Sequence, residues 1–473
     1  MGRRRAKIVC TIGPASDAPD QLAALMAAGM DVARLNFSHG THDEHRARIE
    51  TIRRVAAERG QHVAILQDLC GPKIRTGRFV GGGCDVVRGR TVRLVDDDGE
   101  VSGREDTIPI QYDGIGRDLV AGDQLLLDDG RIGLTVEETD DGGARCLVTQ
   151  GGRLRDRVGV HLPAERVSIA TVTEKDKRDL AFGLAHEVDL VALSFVRKAS
   201  EVELVREICE AWGRPTPVIS KIETPQAVAQ LESIMTVSDG VMVARGDLGV
   251  EFSPEHVPVI QREMLGLGRK YECPVIVATE MLQSMTTSTR PTRAESSDVA
   301  TAVFEGADAV MLSGETATGA HPALVVETMV RIVETAERSR FYDPAAFEPE
   351  PSTKLAQAIA RGASAIAAEV EAKVIVAFTE SGQTALHLSA TRPRVPIVGM
   401  SPDPSTLRKM CLLWGVTPFR IEPTGDADAM VERAHASLLA HGFVSPGDSF
   451  VTIFGAPVGV SGSTNALRVK VVA

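Results

Sequence analysis

Long apolar runs are missing from this 473-residue chain: no stretch of about 18 apolar residues occurs, the length a membrane-crossing helix needs. Aromatic residues supply only 4% of the chain, and 52 Lys plus Arg stand against 64 Asp plus Glu for a net charge of −12. Neither a base-stacking platform nor a basic groove is indicated, so nucleic acid is not an expected partner. Paired cysteines are missing too. Cys10, Cys70, Cys84, Cys146, Cys209, Cys273 and Cys411 are odd in number, scattered and never in a C-x-x-C pair, which excludes a disulfide framework or a zinc site and implies a reducing compartment. "MGRRRAK" has the charge of a signal-peptide start, but "IVCTIGPASD" follows without an apolar core, so the expected location is the cytoplasm, with no membrane attachment. No G-x-x-x-x-G-K-[ST] loop occurs, and no G-x-G-x-x-G opens a helix after a strand, so loop motifs name no nucleotide.

What is present is a recurring unit. Short β-branched runs, each followed by a turn and a helix-period segment, begin at "KIVCTIG" (7–13), "DVARLNF" (31–37), "HVAILQD" (62–68), "LVALSFV" (190–196), "PVISKIE" (217–223), "GVMVARGD" (240–247), "PVIVATE" (274–280) and "AVMLSGE" (309–315). Eight near-continuous apolar strands alternating with helices predict a (β/α)₈ barrel, whose parallel strands are buried on both faces. More than a hundred residues separate the third run from the fourth, far beyond a crossover helix. Within that interval "TVRLVDDDGE" and "QLLLDDGRIGLTVEETDDGGARCLVTQGG" alternate polar and apolar residues between Asp-Gly and Gly-Gly turns, predicting a small inserted antiparallel β-barrel lid on the C-terminal rim, entered through Gly71-Pro72. After the Pro-rich "FYDPAAFEPEPST", strand-loop-helix texture resumes as an open α/β sheet. The expected division is 1–71 plus 164–343 for the barrel, 72–163 for the lid and 344–473 for a C-terminal regulatory unit.

Catalytic groups of such barrels sit at the C-terminal strand ends. "ISKIE" places Lys221 and Glu223 two apart, on one side of a strand, and "ARGDLGVE" brings Asp247 to the same rim beside glycines. A Lys-Glu pair that merely satisfies itself is the plain alternative. Two carboxylates without His or Cys suit a hard cation, Mg²⁺ with Mn²⁺ as substitute, that takes its remaining oxygens from water and a phosphate or carboxylate ligand. Neighbouring strand ends add Arg34, Asn36, Ser38 and His39 of "RLNFSHG" and Thr279 of "VATE". A Lys and an Arg beside a divalent metal, without a nucleophile-base pair, suit electrostatic stabilisation of a transferring phosphoryl group. A metal-dependent lyase or aldolase, and a catalytically dead sugar-phosphate sensor, use overlapping parts and stay open at this point.

"TIGPAS", "RLNFSHG", "GPKIRTG", "SKIE", "MVARGDLGVE", "ATEMLQSM", "RPTRAE" and "MLSGETATG" occur in this order, and by them the whole chain resembles the pyruvate kinase family. The resemblance implies transfer of the phosphoryl group of phosphoenolpyruvate to ADP, giving ATP and pyruvate. It implies Glu223 and Asp247 as metal ligands, Lys221 as stabiliser of the phosphoryl in flight, Arg34 as a phosphate contact, Gly246 as a backbone donor to the substrate carboxylate, and Thr279 beside the carbon that is protonated. Asn36, Phe37, Ser38, His39, Arg75 and Lys175 match nucleotide-contacting positions. A homotetramer is implied. Glu280 stands where the family usually has Gln, and "IATVTEKD" where it has "LPALTEKD".

Two further expectations rest on that resemblance. "FTESGQTA" carries Thr379, Glu380, Ser381, Gly382, Gln383 and Thr384 at a strand end opening a helix, a phosphate-binding arrangement for an effector. Gln383 replaces an Arg that often holds a bisphosphate, which favours AMP or a sugar monophosphate over fructose 1,6-bisphosphate. In "QDLCGPKIRTG", Lys73 occupies the position of a Glu, and Leu69 that of a Thr, of members that need K⁺. Lys73, with Asp68, Asn36 and Ser38, is expected to stand in for the monovalent cation, so that K⁺ is not required. Two like charges about 4 Å apart repel by roughly 4 kcal/mol at an effective dielectric near 20.

Overall fold

Every residue of β1 (Lys7–Thr11) and β3 (Ala64–Asp68) is buried, and β2 (Val32–Asn36) exposes only part of its last residue. Such strands need helices on one side and a filled barrel on the other. The computed structural model describes residues 4–97, 99, 103–128, 130–162, 170–343, 354–459 and 462–472. After β3 the chain leaves for β4 (Gly83–Val86), β5 (Thr91–Asp96), β6 (Thr107–Ile110), β7 (Gln124–Leu127), β8 (Ile132–Asp140), β9 (Gly143–Gln150), β10 (Gly152–Arg155) and β11 (Val160–His161). It returns as β12 (Leu190–Leu193), β13 (Val218–Ile222), β14 (Gly240–Ala244), β15 (Val275–Ala278) and β16 (Ala309–Leu312). A last group follows: β17 (Val374–Phe378), β18 (Ile397–Ser401), β19 (Val416–Arg420), β20 (Ser449–Gly455) and β21 (Thr464–Val471).

The strands β1, β2, β3 and β12 to β16 pair in parallel and close in the order β1-β16-β15-β14-β13-β12-β3-β2, the eight-stranded barrel the sequence predicts. Its helices start where the chemistry of their first turns directs. Thr41 with Glu44, Thr173 with Asp176 and Thr292 with Glu295 form reciprocal capping boxes before the helices His42–Glu58, Glu174–Ala185 and Arg293–Phe304.

The insertion is a six-stranded sheet, β11-β7-β8-β9-β5-β6, with a separate ribbon of β10 and β4. Its named strands pair antiparallel except β5 with β6, which run parallel. Leu94, Ile108, Leu125, Ile132, Val148 and Leu154 give it a core of its own. The expected boundary at 163/164 and the Pro-rich linker at 344–353 lie outside the described residues. Beyond the linker, β19-β18-β17-β20-β21 form an open sheet, parallel but for its antiparallel edge strand β21.

The barrel interior is filled by alternate residues of all eight strands, among them Val9, Leu66, Ile219, Met242 and Met311. Cys411 and Leu412 belong to the same cluster, so the C-terminal unit plugs the barrel from the N-terminal ends of its strands. Polar contacts surround this plug: Lys7 Nζ donates to Val416 O at 2.6 Å, and Arg392 pairs with Asp308 at 2.8 Å. The Asp189 carboxylate, wholly buried, holds Arg408 at 2.7 Å, Arg53 at 2.7 Å and the Ile65 N–H at 2.8 Å. Removing one partner of a buried ion pair leaves uncompensated charge, so Asp189→Ala is expected to cost about 3 kcal/mol or more. Its denaturant midpoint should fall well below wild type; an unchanged midpoint would show that the junction does not support the barrel.

Candidate active site

At the C-terminal rim, three barrel strands, β2, β3 and β13, deliver a chain of buried charges. Arg34, the middle residue of β2, donates through Nε to Asp68 at 2.7 Å and through an η nitrogen to Thr11 Oγ1 at 2.8 Å. Asp68 ends β3 and is also 3.3 Å from Lys221 Nζ. Lys221 Nζ lies 3.0 Å from Glu223 Oε1 and donates to Ser194 Oγ at 2.7 Å, while Ser194 in turn donates to Leu69 O at 2.7 Å. The order along the rim is therefore cation, anion, cation, anion.

Burial sets the electrostatics. It works to strip Lys221 of its proton, but Asp68 and Glu223 outweigh it and raise the ammonium well above its ordinary value. Burial would also raise Asp68, yet Lys221 and Arg34 hold that carboxyl below the usual carboxylate range. Glu223 goes the other way: burial pushes it up to about 7, against the pull of Lys221 and with help from the charge of Asp247. Its Oε2 accepts the Phe195 N–H at 2.7 Å, whereas its Oε1, though beside Lys221, has no partner in hydrogen-bond geometry. A buried carboxylate oxygen compensated by one ammonium and by no well-aligned hydrogen bond fits a hard cation. Among the described residues no group of three or more His, Cys, Asp or Glu gathers as a ligand set, so a metal held by Glu223 and Asp247 would need further oxygens from water or substrate.

The Asp247 expectation needs a correction in geometry. β14 stops at Ala244, and Arg245–Glu251 is a short helix with Asp247 in its first turn. Gly246 opens the same turn, and its N–H donates to Thr279 Oγ1 at 2.8 Å. Thr279 also donates to Ala278 O at 2.7 Å. Both Thr279 and Glu280 adopt positive φ, 67° and 54°, a costly conformation for a β-branched residue. Arg245 holds it there, donating to Thr279 O at 2.7 Å and Ala278 O at 3.2 Å while pairing with Asp298 at 2.7 Å. Sequence reading missed Arg245, Ser194 and Phe195. Their signal was present, as polar or aromatic residues ending apolar strand runs.

Around the neighbouring loop, Ser38 N–H donates to Asn36 Oδ1 at 3.0 Å. The ring of Phe37 is buried and stacks on His45 at 3.9 Å, so Phe37 offers a ligand only backbone. Its carbonyl accepts from Lys175 Nζ at 2.7 Å, and Lys175 pairs with Asp179 at 2.5 Å. Arg75 donates to Arg157 O at 3.0 Å. Burial, then the charges of Arg75, Lys73 and Arg34, push the His39 imidazole below its ordinary value. Arg75, Lys73 and Arg34 thus form a cationic patch around His39. Lys73 is half-buried and makes no hydrogen bond or ion pair with Asp68, Asn36 or Ser38; Asp68 is already compensated by Arg34 and Lys221.

In the C-terminal unit, Gly382 (φ 94°) turns the chain so that its N–H reaches Thr379 Oγ1 at 2.8 Å, and the helix Gln383–Ala390 follows. Thr384 and Thr464 share a hydroxyl contact at 2.7 Å. Glu380, Ser381 and Gln383 border a cavity of about 170 Å³ whose described lining contains no Lys or Arg.

A closed (β/α)₈ barrel with a charged C-terminal rim, an inserted β unit and a C-terminal α/β unit is the architecture of a barrel enzyme, and comparison with known proteins makes it a phosphotransferase. The models "Pyruvate kinase, barrel domain" and "Pyruvate kinase, alpha/beta domain" match residues 3–326 and 357–470. Pyruvate kinases of Corynebacterium efficiens and Mycobacterium tuberculosis are 45% and 43% identical over 98% of this chain and 97% and 98% of theirs. A crystal structure of a pyruvate kinase from Cryptosporidium parvum superposes with a TM-score of 0.92 at 34% identity, covering 99% of this chain and 96% of that one. The chain belongs to the pyruvate kinase family.

Arg245 acts on this site through Thr279 and Gly246. Truncating it to Ala is expected to lower kcat about 10²-fold, as small misplacements of reacting groups do, with circular dichroism unchanged. Arg245→Lys, which keeps charge but not the fork, should fall in the same direction. Full kcat in both variants would remove Arg245 from the account.

Proposed function

We propose that the chain transfers the phosphoryl group of phosphoenolpyruvate to ADP, using Mg²⁺, or Mn²⁺ in its place, held by Glu223 and Asp247. The observation that carries this reading is Lys221, set between Asp68 and Glu223 in a buried rim that also presents Arg34. Bound there, the divalent ion supplies Lewis-acid neutralisation of phosphoryl and carboxylate oxygens. Lys221 and Arg34 stabilise negative charge on the phosphoryl oxygens as it passes from the enol oxygen to the β-phosphate oxygen of ADP. The enolate left behind takes a proton at its methylene carbon, near Thr279. Gly246 can serve the substrate carboxylate only by sharing the N–H it gives Thr279. Asn36, Ser38, His39, Arg75 and Lys175 line the nucleotide side, Phe37 through its backbone, and Lys175 must yield its contact with Asp179 to reach a phosphate. The insertion 72–163 closes as a lid that excludes water from the reacting phosphoryl.

Three finer parts belong to the same proposal. K⁺ is dispensable because Lys73 adds fixed positive charge near His39, through the field at the rim and without replacing a ligand of Asp68. A monophosphate, AMP or a sugar phosphate, activates through residues 379–384, whose cavity has no Lys or Arg in its described lining, the cations a bisphosphate calls for. The enzyme works as a cytoplasmic homotetramer; among the described residues no helix is long and apolar enough to cross a membrane.

A coupled assay with phosphoenolpyruvate, ADP and Mg²⁺ tests the reading, and absence of pyruvate and ATP formation would refute it. Lys221→Met should lose about 10³-fold or more in kcat yet still bind Mn²⁺ above neutral pH, since no ligand is removed. Near-normal turnover by that variant would overturn its role. Rates in K⁺ and in tetramethylammonium at equal ionic strength should agree within about tenfold, or about 1.4 kcal/mol of barrier, and Lys73→Glu should lose that independence.

A further inference from the structure

His161 ends β11 in the insertion, and its Nδ1 lies 3.1 Å from Oε1 of Glu251 on the barrel rim. Both side chains are largely buried, at 11% and 18% exposure, so this is not a solvated surface pair. Glu251 is the last residue of the short helix Arg245–Glu251, whose first turn carries Gly246 and Asp247. A lid residue is thus attached to the far end of the element that bears one of the two metal carboxylates. Beside the pair lies a cavity of about 80 Å³, bordered by Pro72 and Ile74 at the lid's entry, Val160 and Leu162 at its exit, and Phe195 and Thr224 on the rim. Phe195 and Thr224 flank the other carboxylate: the Phe195 N–H binds Glu223, and Thr224 follows it in sequence. The lid therefore meets the rim across a gap, with His161 and Glu251 spanning it.

We propose that the His161–Glu251 contact is a latch through which occupancy of the Glu223–Asp247 site and closure of the lid stabilise each other. His161 and Glu251 are positioning residues; neither reaches the reacting atoms. A cation on Asp247 steadies the helix Arg245–Glu251, which fixes Glu251 as the acceptor for His161 and holds the lid down. Linkage requires the reverse effect at the same strength, so a latched lid raises affinity for the cation. The inference rests on the metal reading above and adds the residue pair through which site and lid are joined.

The test uses the full chain with Mn²⁺ and phosphoenolpyruvate, without ADP, and reads amide hydrogen exchange in β7 and β11 together with Mn²⁺ affinity by electron paramagnetic resonance. In wild type, Mn²⁺ and phosphoenolpyruvate should slow exchange in both strands. In His161→Ala and in Glu251→Ala this protection should disappear, and Mn²⁺ affinity should fall by about fivefold or more, the lower end of ordinary coupling between sites. His161→Gln, whose amide can donate to Glu251, should recover part of both. Glu251→Ala guards against a folding defect peculiar to the lid variant. Wild-type protection in both alanine variants overturns the latch while leaving the metal site standing. Failure of the wild type to bind Mn²⁺ overturns the metal reading, and the latch with it.

Discussion

One ammonium group, that of Lys221, makes the rim possible. Asp68 and Glu223 are both about 1% exposed, and two buried carboxylates without a cation between them would not stay ionised. Lys221 sits within 3.3 Å of one and 3.0 Å of the other, and Arg34 completes the compensation of Asp68. The pairing is unequal. Asp68 is held by two cations and stays charged, whereas Glu223 is held by one, opposed by Asp247, and keeps an oxygen without a hydrogen bond. The site is therefore short of positive charge at the place where a divalent ion would enter, and well supplied around His39, where phosphates would.

The barrel supplies the geometry for this imbalance from two directions. The C-terminal ends of β2, β3, β12 and β13 converge on Lys221, because parallel strands in a closed barrel bring successive strand ends to one rim. Their N-terminal ends are held by the plug, with Asp189 gripping Arg408, Arg53 and the start of β3. β12 thus begins at a charge locked to the C-terminal unit and leads directly into Ser194, which touches Lys221. Rigid packing of this kind lets a site keep a strained element such as the Thr279–Glu280 turn, which the fork of Arg245 fixes.

The barrel strands were legible because β-branched runs buried on both faces leave a plain mark in sequence, and the insertion because its alternating pattern and Asp-Gly turns differ from that mark. Lys221, Glu223 and Arg34 were legible as charges ending such runs. Less could be read where a role depends on contacts across the fold. Asp247 looked like the end of a strand, but "RGDLGVE" turns into a helix once Ala244 leaves the barrel. Lys73 looked like a partner for Asp68, but nothing in the local sequence says that Arg34 and Lys221, 34 residues before and far after, reach that carboxylate first. Nothing local to Cys411 and Leu412 marks their role; only the tertiary fold makes them a stopper in the barrel. The parallel pairing of β5 with β6 was hidden for the same reason, since alternation gives the face of a strand and not its direction.

Glu223 is a buried carboxyl, raised above the usual carboxylate range, whose Oε1 has the Lys221 ammonium at 3.0 Å and no hydrogen bond in good geometry. Burial favours a proton on that carboxyl in the metal-free protein, and a binding cation must displace it. Calorimetric titration with Mn²⁺ in buffers of different ionisation enthalpy counts that proton directly. More protons should be released per Mn²⁺ at about pH 6 than at about pH 8.5, with the excess at the lower pH absent from Glu223→Gln. Mn²⁺ binding to wild type at about pH 6 without proton release would contradict the charge arrangement on which the site is built.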